Sequence, residues 1–204
     1  MCFAGGIDRP TLDPGAIDAA TLPLVPVFQK ALAAGDNGAL EVIKEIFEDA
    51  GFAVVGADDL VSGLVATAGI LSRQKPDEQM RRDAARGEAV LDALATLDIG
   101  QACVIGAGQV LGVEAIGGTA HLLETLPDAA RQMRGILCKG PKTGQLREID
   151  KPTIGPETLR SAAAAGLAGV VVEAGEVIVL DTETCGRLAD DFGLVLWSRR
   201  RGEG

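Results

Sequence analysis

The sequence predicts an α/β fold with a mixed sheet, and three observations carry that prediction. Short apolar runs rich in valine and isoleucine interleave with longer segments whose apolar residues recur at helical spacing. Glycines, prolines and capping residues separate the two kinds of segment. Neighbouring runs joined by only a few glycine-containing residues read as hairpins, which makes the sheet mixed rather than wholly parallel.

The chain opens on Cys2-Phe-Ala-Gly-Gly6 and Arg9-Pro10, which read as the carboxyl end of a parallel strand entering a glycine turn, with nothing before it to supply neighbouring strands. Ala19 to Ala33 is helical in composition, and Pro23 and Pro26 should bend or split it. Asp36-Asn37 can cap a helix whose Leu40, Ile43, Ile46 and Phe47 form a core stripe, and Gly51 ends it. Phe52–Gly56 reads as a short strand. Residues 57 to about 76 lose periodicity and contain Gly63, Gly69 and Pro76, the pattern of a connection across a domain boundary.

A charged helix is expected from about Pro76 to Leu97, with Met80, Ala84, Val90, Leu91 and Leu94 on its apolar side. Ala102–Ile105 and Val110–Val113 flank Gly106-Ala-Gly108 as a hairpin. Thr119 can cap a helix beginning near Ala120, Gly135–Cys138 is a buried strand, and Pro156 opens an alanine-rich helix. Gly169–Val172 and Val177–Leu180 flank Glu173-Ala-Gly-Glu176, suggesting a second hairpin. Asp181 or Thr182 then caps a helix to Phe192, and Leu194–Trp197 closes the chain as a strand.

With 204 residues, 47% apolar and 24% charged, and no low-complexity tract, the chain suits one large or two small folded domains. A net charge of −10 argues against nucleic acid as a partner, and the short Arg199-Arg200-Arg201 run reads as a solvated terminus. Cys2, Cys103, Cys138 and Cys185 are widely spaced and read as small buried hydrophobes in a reducing compartment. The single histidine, His121, favours a structural role over a nucleophilic triad. Neither a signal-peptide pattern nor a run long enough to cross a bilayer is visible, so the expected location is cytoplasmic, with a lipid-facing surface left open.

Chemistry concentrates in Lys139-Gly-Pro-Lys142-Thr-Gly-Gln145-Leu-Arg147-Glu-Ile-Asp150-Lys-Pro152-Thr153-Ile-Gly155-Pro156, between a buried strand and a helix. Ammonium and guanidinium groups can neutralise phosphate oxygens while glycines let backbone amides approach. Asp150 beside bound phosphates is a natural anchor for hydrated Mg²⁺. On spacing alone the segment reads equally well as a solvated basic loop in which Asp150 caps a turn.

Taken together, Phe3-Ala-Gly-Gly-x-x-Arg9-Pro10, Gly35-Asp36-Asn37, Gly51-Phe-x-Val-x-Gly-Ala57, Asp98-Ile-Gly-Gln-Ala102, Val110-Leu-Gly-Val-Glu-Ala115, Lys139-x-Pro-Lys142, Asp150-x-Pro-Thr-Ile-Gly-Pro156, Ala165-Gly-Leu-Ala-Gly169 and Val172-Glu-Ala-Gly175 resemble the LpxI-type UDP-2,3-diacylglucosamine pyrophosphatases in one unbroken order. The resemblance implies a partial Rossmann-like amino-terminal domain joined to a mixed-sheet α/β catalytic domain, divided here as residues 1–57, a linker at 58–76, and 77–204. It implies Mg²⁺-dependent hydrolysis of UDP-2,3-diacylglucosamine to UMP and 2,3-diacylglucosamine 1-phosphate in lipid A biosynthesis, by a cytoplasmic homodimer with a possible peripheral contact at the inner membrane. Asp150 takes the catalytic and metal-holding role. Glu114, Thr119, Lys139, Lys142, Gln145, Arg147, Thr153 and Glu173 take substrate contacts. With 3% aromatic residues and no tyrosine, the uridine would be held mainly by backbone and polar groups.

Three departures from the family pattern accompany the resemblance. The family's leading glycine-rich strand-turn-helix does not precede Met1, the family's Glu-Gly-Thr-Asp reads Gly117-Gly-Thr-Ala120, and Glu148 stands where an arginine is usual, with Arg147 shifted by one. They support a second expectation, a catalytically weakened relative that binds the nucleotide-sugar lipid or its lipid product.

Overall fold

Proline placement decides where the first helices begin. Pro23 lies in a 3₁₀ turn, Leu22–Leu24, and Pro26 is the second residue of α1 (Val25–Ala33), where a missing N–H costs little because the first amides of a helix have no intrahelical partner. The expected split therefore falls between two short elements. The computed structural model describes the chain except for residues 4, 6–12, 14, 16, 34, 35, 143–145, 147 and 204, and gives residues 30, 32, 33, 36 and 37 by their backbone alone. It divides into two units, residues 1–61 with 145–150, and residues 62–144 with 151–204.

In the first unit, α2 spans Asp36–Asp49 and the chain turns at Gly51, whose φ of 89° is costly for any residue with a Cβ. Phe47 on α2 meets Phe3 and Phe52 edge-on, with centroids 5.5 and 6.3 Å apart. The strand expected over Phe52–Gly56 is an extended segment instead. The Met1 amino group donates to the Ala53 carbonyl at 2.6 Å and Val55 N–H donates to the Met1 carbonyl at 2.9 Å, a parallel-type pairing that extends over a single residue. A short helix, α3 (Ala57–Leu60), follows, with the Gly56 amide donating to Asp59 Oδ2 at 3.0 Å.

The second unit carries the main sheet. Its elements in order are β1 (Gly69–Ile70), α4 (Glu78–Ala95), β2 (Ala102–Gly106), β3 (Gln109–Val113), α5 (Gly118–Glu124), α6 (Ala129–Gln132), β4 (Ile136–Lys139), β5 (Thr153–Ile154), α7 (Pro156–Ala164), β6 (Gly169–Glu173), β7 (Ile178–Val179), α8 (Thr182–Phe192) and β8 (Val195–Arg199). Six strands pair in the order β1-β8-β6-β4-β2-β3, with β4, β6 and β8 parallel and the other pairs antiparallel. The mixed sheet is as the sequence predicts.

Side chains alternate across this sheet, and both faces are covered. Met80, Ala84 and Leu91 of α4 pack with Cys103, Ile105, Ile136, Cys138, Val171, Val195 and Trp197. Val104, Leu137, Val170, Val172 and Leu196 pack on the opposite face with Leu122 of α5, Leu159 and Ala162 of α7, and Cys185 and Ala189 of α8. Asp77 caps α4 by accepting from the Met80 amide at 2.8 Å. Gly87 lets α4 approach the sheet: a Cβ there would lie 2.4 Å from Cys138 Sγ and 2.8 Å from Cys138 Cβ.

The first hairpin forms as expected. Its turn residues Ala107 and Gly108 both have positive φ, 48° and 77°, and buried Asp83 of α4 accepts from their amides at 3.0 and 2.7 Å. The second expected hairpin does not form. β6 is paired on both edges, by β4 and β8, so β7 has no place beside it and pairs instead with β5 in a separate two-stranded parallel sheet.

Residues 64–71, read as part of a connection, are stitched into this unit. Val179 N–H donates to Leu64 O, Gly175 N–H to Ala66 O, and Leu71 N–H to Leu196 O, all at 2.8–3.0 Å. Among the described residues no helix is long and apolar enough to cross a membrane.

Candidate functional site

Three parallel strands end side by side. Lys139 is the last residue of β4, Glu173 of β6 and Arg199 of β8, with Lys139 in register with Val172 and Glu173 with Arg199. A cleft beside α4 is lined by these three residues together with Glu88, Leu91 and Arg201. The carboxyl ends of parallel strands, where side chains converge without covering elements, are where α/β proteins bind ligands.

Next to this cleft the structure joins three residues predicted from sequence. Lys139 Nζ donates to Thr119 Oγ1 at 2.7 Å, and the single Thr119 hydroxyl proton goes on to Glu114 Oε1 at 3.0 Å. The other Glu114 oxygen accepts from the Gln101 amide at 3.0 Å. Local backbone geometry builds this arrangement. Glu114 N–H donates to Ala102 O beyond the end of β3, Gly118 turns the chain at φ 73°, and Gly100 passes so close that a Cβ would sit 2.1 Å from the Glu114 carbonyl oxygen. Thr119 does not cap α5, as its sequence position suggested. The cap position belongs to Gly117, and the Thr119 hydroxyl instead bridges a cation and a carboxylate. Lys139 is only 9% exposed, so this bridge is weakly screened by water.

The remaining predicted contacts separate. Lys142 donates to Asp98 Oδ1 at 2.7 Å, with its side chain only 10% exposed. Asp98 adopts left-handed backbone, φ 54°, just beyond α4, and was not singled out from sequence although it opens one of the quoted motifs. Thr153 Oγ1 donates to the Lys151 carbonyl at 3.2 Å, a local turn contact. Gln145 and Arg147 lie outside the described residues. Asp150 belongs to the first unit, where its amide donates to Leu146 O at 2.9 Å. In that same unit Glu148 pairs with Lys44 of α2 at 3.6 Å, which gives a partner to the carboxylate standing at the family's arginine position.

Glu173 is gripped by a residue the sequence reading set aside. Arg201 Nε and Nη2 donate to its two oxygens at 3.1 and 2.9 Å, while Nη1 pairs with Asp92, and these carboxylates push the guanidinium's pKa further up, Glu173 first and Asp92 second. Arg199 is 6% exposed, pairs with Glu88, donates to the Glu203 carbonyl and lies over Trp197 at 5.7 Å. The expectation of a solvated terminus fails for Arg199, which is buried, and for Arg201, which is exposed but ion-paired, while Arg200 is exposed as expected. β8 runs along β6, which carries Arg199 and Arg201 to the cleft, where Glu173 of β6 and Glu88 and Asp92 of α4 are their carboxylate partners.

Cysteine nucleophiles are disfavoured. A hydrogen bond with Cys103, reinforced by burial, raises the Cys138 thiol well above its ordinary value, and burial pushes Cys185 up to about 11. Cys103, Cys138 and Cys185 are free and buried, as expected. His121 lies exposed on α5. Among the described residues no three of His, Cys, Asp and Glu gather as a metal cage, and the Glu114 and Glu173 carboxylates already hold Thr119, Gln101 and Arg201.

Fold and site together define a two-unit α/β protein with a cleft lined by Lys139, Arg199 and Arg201 and by the carboxylates of Glu88 and Glu173. The chain belongs to the LpxI family: the model of the LpxI N-terminal domain matches residues 1–64, and that of the LpxI C-terminal domain matches residues 67–197. A relative from Caulobacter vibrioides, UDP-2,3-diacylglucosamine pyrophosphatase LpxI, is 36% identical over 201 residues, covering 95% of this chain and 72% of that protein.

Proposed function

We propose that this chain hydrolyses the pyrophosphate of UDP-2,3-diacylglucosamine, giving UMP and 2,3-diacylglucosamine 1-phosphate in lipid A biosynthesis, with Mg²⁺ as its cofactor. Family membership and the activity named for the 36%-identical relative support the substrate and the reaction. The observation that carries the reading is the low-exposure Lys139–Thr119–Glu114 bridge at the ends of the parallel strands. It holds an ammonium at fixed geometry where phosphate oxygens would enter.

Water adds to one phosphorus, the P–O–P bond breaks, and each product leaves with a phosphate. Lys139 binds phosphate oxygens, and Glu114 positions it through Thr119. Lys142 adds a second ammonium, oriented by Asp98. Asp150 is the residue assigned to Mg²⁺. A carboxylate suits that ion, which keeps several waters and takes oxygens from substrate phosphates. When bound, the ion supplies positive charge for the departing phosphate and acidifies water. Gln145, Arg147, Thr153 and Glu173 are assigned to substrate contacts, Glu173 being held by Arg201. The enzyme works as a cytoplasmic homodimer, with peripheral contact at the inner membrane.

A second reading, a binding relative with weakened turnover, draws on Gly117 and Ala120 at positions where the family carries carboxylates. A Cβ on Gly117 would lie 2.6 Å from His121 Cδ2, so this corner is packed for glycine. The deciding experiment measures UMP release from UDP-2,3-diacylglucosamine by the wild-type chain and Asp150→Ala, with Mg²⁺ or with EDTA. Release that needs both metal and Asp150 is the expected result. Retained lipid binding without release selects the second reading.

A further inference from the structure

The segment that follows β8 is folded back onto α4. Glu88 and Asp92 stand one helical turn apart on α4, so their carboxylates share one face of the helix. Glu88 accepts from the Gly202 amide on both oxygens at 3.1 Å and pairs with Arg199, while Asp92 pairs with Arg201. Within the segment the Arg200 amide donates to Glu203 Oε2 at 3.0 Å, the Glu203 amide donates to the Arg200 carbonyl at 3.1 Å, and Gly202 turns the backbone at φ 71°. Residues 199–203 thus form a closed turn that brings Arg201 to the cleft. Both Arg199 and Arg201 lie beyond residues 67–197, the stretch matched by the family's C-terminal domain.

Arg201 meets Glu173 as fork to carboxylate, with Nε and Nη2 each donating to one oxygen, a geometry that lysine cannot reproduce. Glu173 is the more sheltered partner, its side chain 18% exposed against 42% for Arg201. Held this way, its carboxylate lies against Gly140, the residue after Lys139 in the Lys-x-Pro-Lys motif: a Cβ there would stand 3.2 Å from Glu173 Oε2. Around the cleft, Lys139, Arg199 and Arg201 balance Glu88, Asp92 and Glu173. Without Arg201, Glu173 would be an uncompensated negative charge at the base of a motif read as binding phosphate.

We infer that Arg201 is a positioning residue for the anionic ligand: its guanidinium fixes both oxygens of Glu173 and cancels a charge that would otherwise repel phosphate from the Lys139–Lys142 motif. The inference rests on the phosphate-binding role given to that motif above. Arg201 acts through Glu173 and not on the reacting atoms.

The test is a double-mutant cycle of Arg201→Met and Glu173→Gln in the full chain. It is read as KM and kcat for UMP release from UDP-2,3-diacylglucosamine, and as the Kd of inorganic pyrophosphate by calorimetry. Arg201→Met should raise KM and Kd about tenfold, the order expected for one uncompensated charge near a partly hydrated ligand, with kcat changed less than about threefold. In the Glu173→Gln background the same change should raise them no more than about twofold, because the charge to be cancelled is gone. If Arg201→Met does not fold, as judged by Trp197 fluorescence, Arg201→Gln carries the same criteria. An equal rise in both backgrounds, a fall in kcat alone, or an unchanged Kd overturns the inference, as does a wild-type chain that binds no pyrophosphate. The expected pattern in Kd without UMP release by the wild type would sink the pyrophosphatase reading and leave the positioning role standing.

Discussion

Thr119→Val tests the hydroxyl bridge with an isosteric change. The substitution keeps the volume of Thr119 and removes two hydrogen bonds to charged groups, the 2.7 Å bond from Lys139 and the 3.0 Å bond to Glu114. Such bonds contribute about 1.5–3 kcal/mol each, so the gross loss is about 3–6 kcal/mol. Lys139 and Glu114 can then move towards each other and recover part of it, leaving a net destabilisation of about 3 kcal/mol. With a urea slope of about 2 kcal/mol per molar, the midpoint should fall by about 1.5 M.

The assay can follow one unit alone. The chain has a single tryptophan, Trp197, 2% exposed in β8, so its fluorescence reports the unit that contains the bridge. Thr119→Ser restores the hydroxyl and loses one methyl, at a cost of about 1 kcal/mol. If Lys139 binds phosphate, kcat/KM for UMP release should fall about 100-fold in Thr119→Val, the kinetic equivalent of the same 3 kcal/mol, and largely return in Thr119→Ser. A valine variant no less stable than the serine variant, with kcat/KM within a factor of about three of wild type, would refute the bridge as a positioning device.

Other perturbations test the frame around the site. Asp83→Ala strips the acceptor from the Ala107 and Gly108 amides and should cost about 2–4 kcal/mol in urea unfolding, with little loss telling against the buried turn contact. Gly87→Ala gains about 1 kcal/mol of helix propensity but drives a Cβ to 2.4 Å from Cys138 Sγ; overpacking of about 1–3 kcal/mol should win, and Cys138→Ala in the same chain should return part of it. The Asp77 carboxyl is held below its usual pKa chiefly by the Met80 amide, so its contribution to stability is present above about pH 4 and disappears as pH falls through the depressed value. Asp77→Ala should therefore cost about 1 kcal/mol at pH 7, with the gap to wild type closing in thermal melts as pH falls through the depressed value, whereas a constant gap would contradict the charged cap.

Legibility in the sequence followed locality. The first hairpin could be read because Gly106 and Gly108 bracket its turn, and α4 because its apolar residues recur at helical spacing after Pro76, although its Asp77 cap was not read. The 177–180 run misled, since nothing local says that β6 is already paired on both edges. The unbroken valines at 170–172 report only that both faces of β6 are covered, Val170 and Val172 on one and Val171 on the other, and say nothing of its edges. Within the site, Glu114, Thr119 and Lys139 were visible as motif residues, yet their bond to one another depends on the fold of β3 against α5. Arg199 and Arg201 were hidden because three consecutive arginines resemble a solvated tail. Only the neighbouring of β6 and β8 brings Glu173 to Arg201.

Asp150 sits in a six-residue stretch, 145–150, that leaves one folding unit, packs with residues 1–61 and returns. The polypeptide consequently passes between the units three times, after residues 61, 144 and 150. Severing the chain at residue 61 would not yield two self-sufficient halves: the longer fragment would carry the aspartate on a segment deprived of its packing surface, including the Lys44 that meets Glu148. Supplying residues 1–61 as a separate polypeptide should then restore order to that segment. Fragment complementation is thus available as a way to ask whether the amino-terminal unit acts on catalysis by shaping the backbone beneath a single carboxylate.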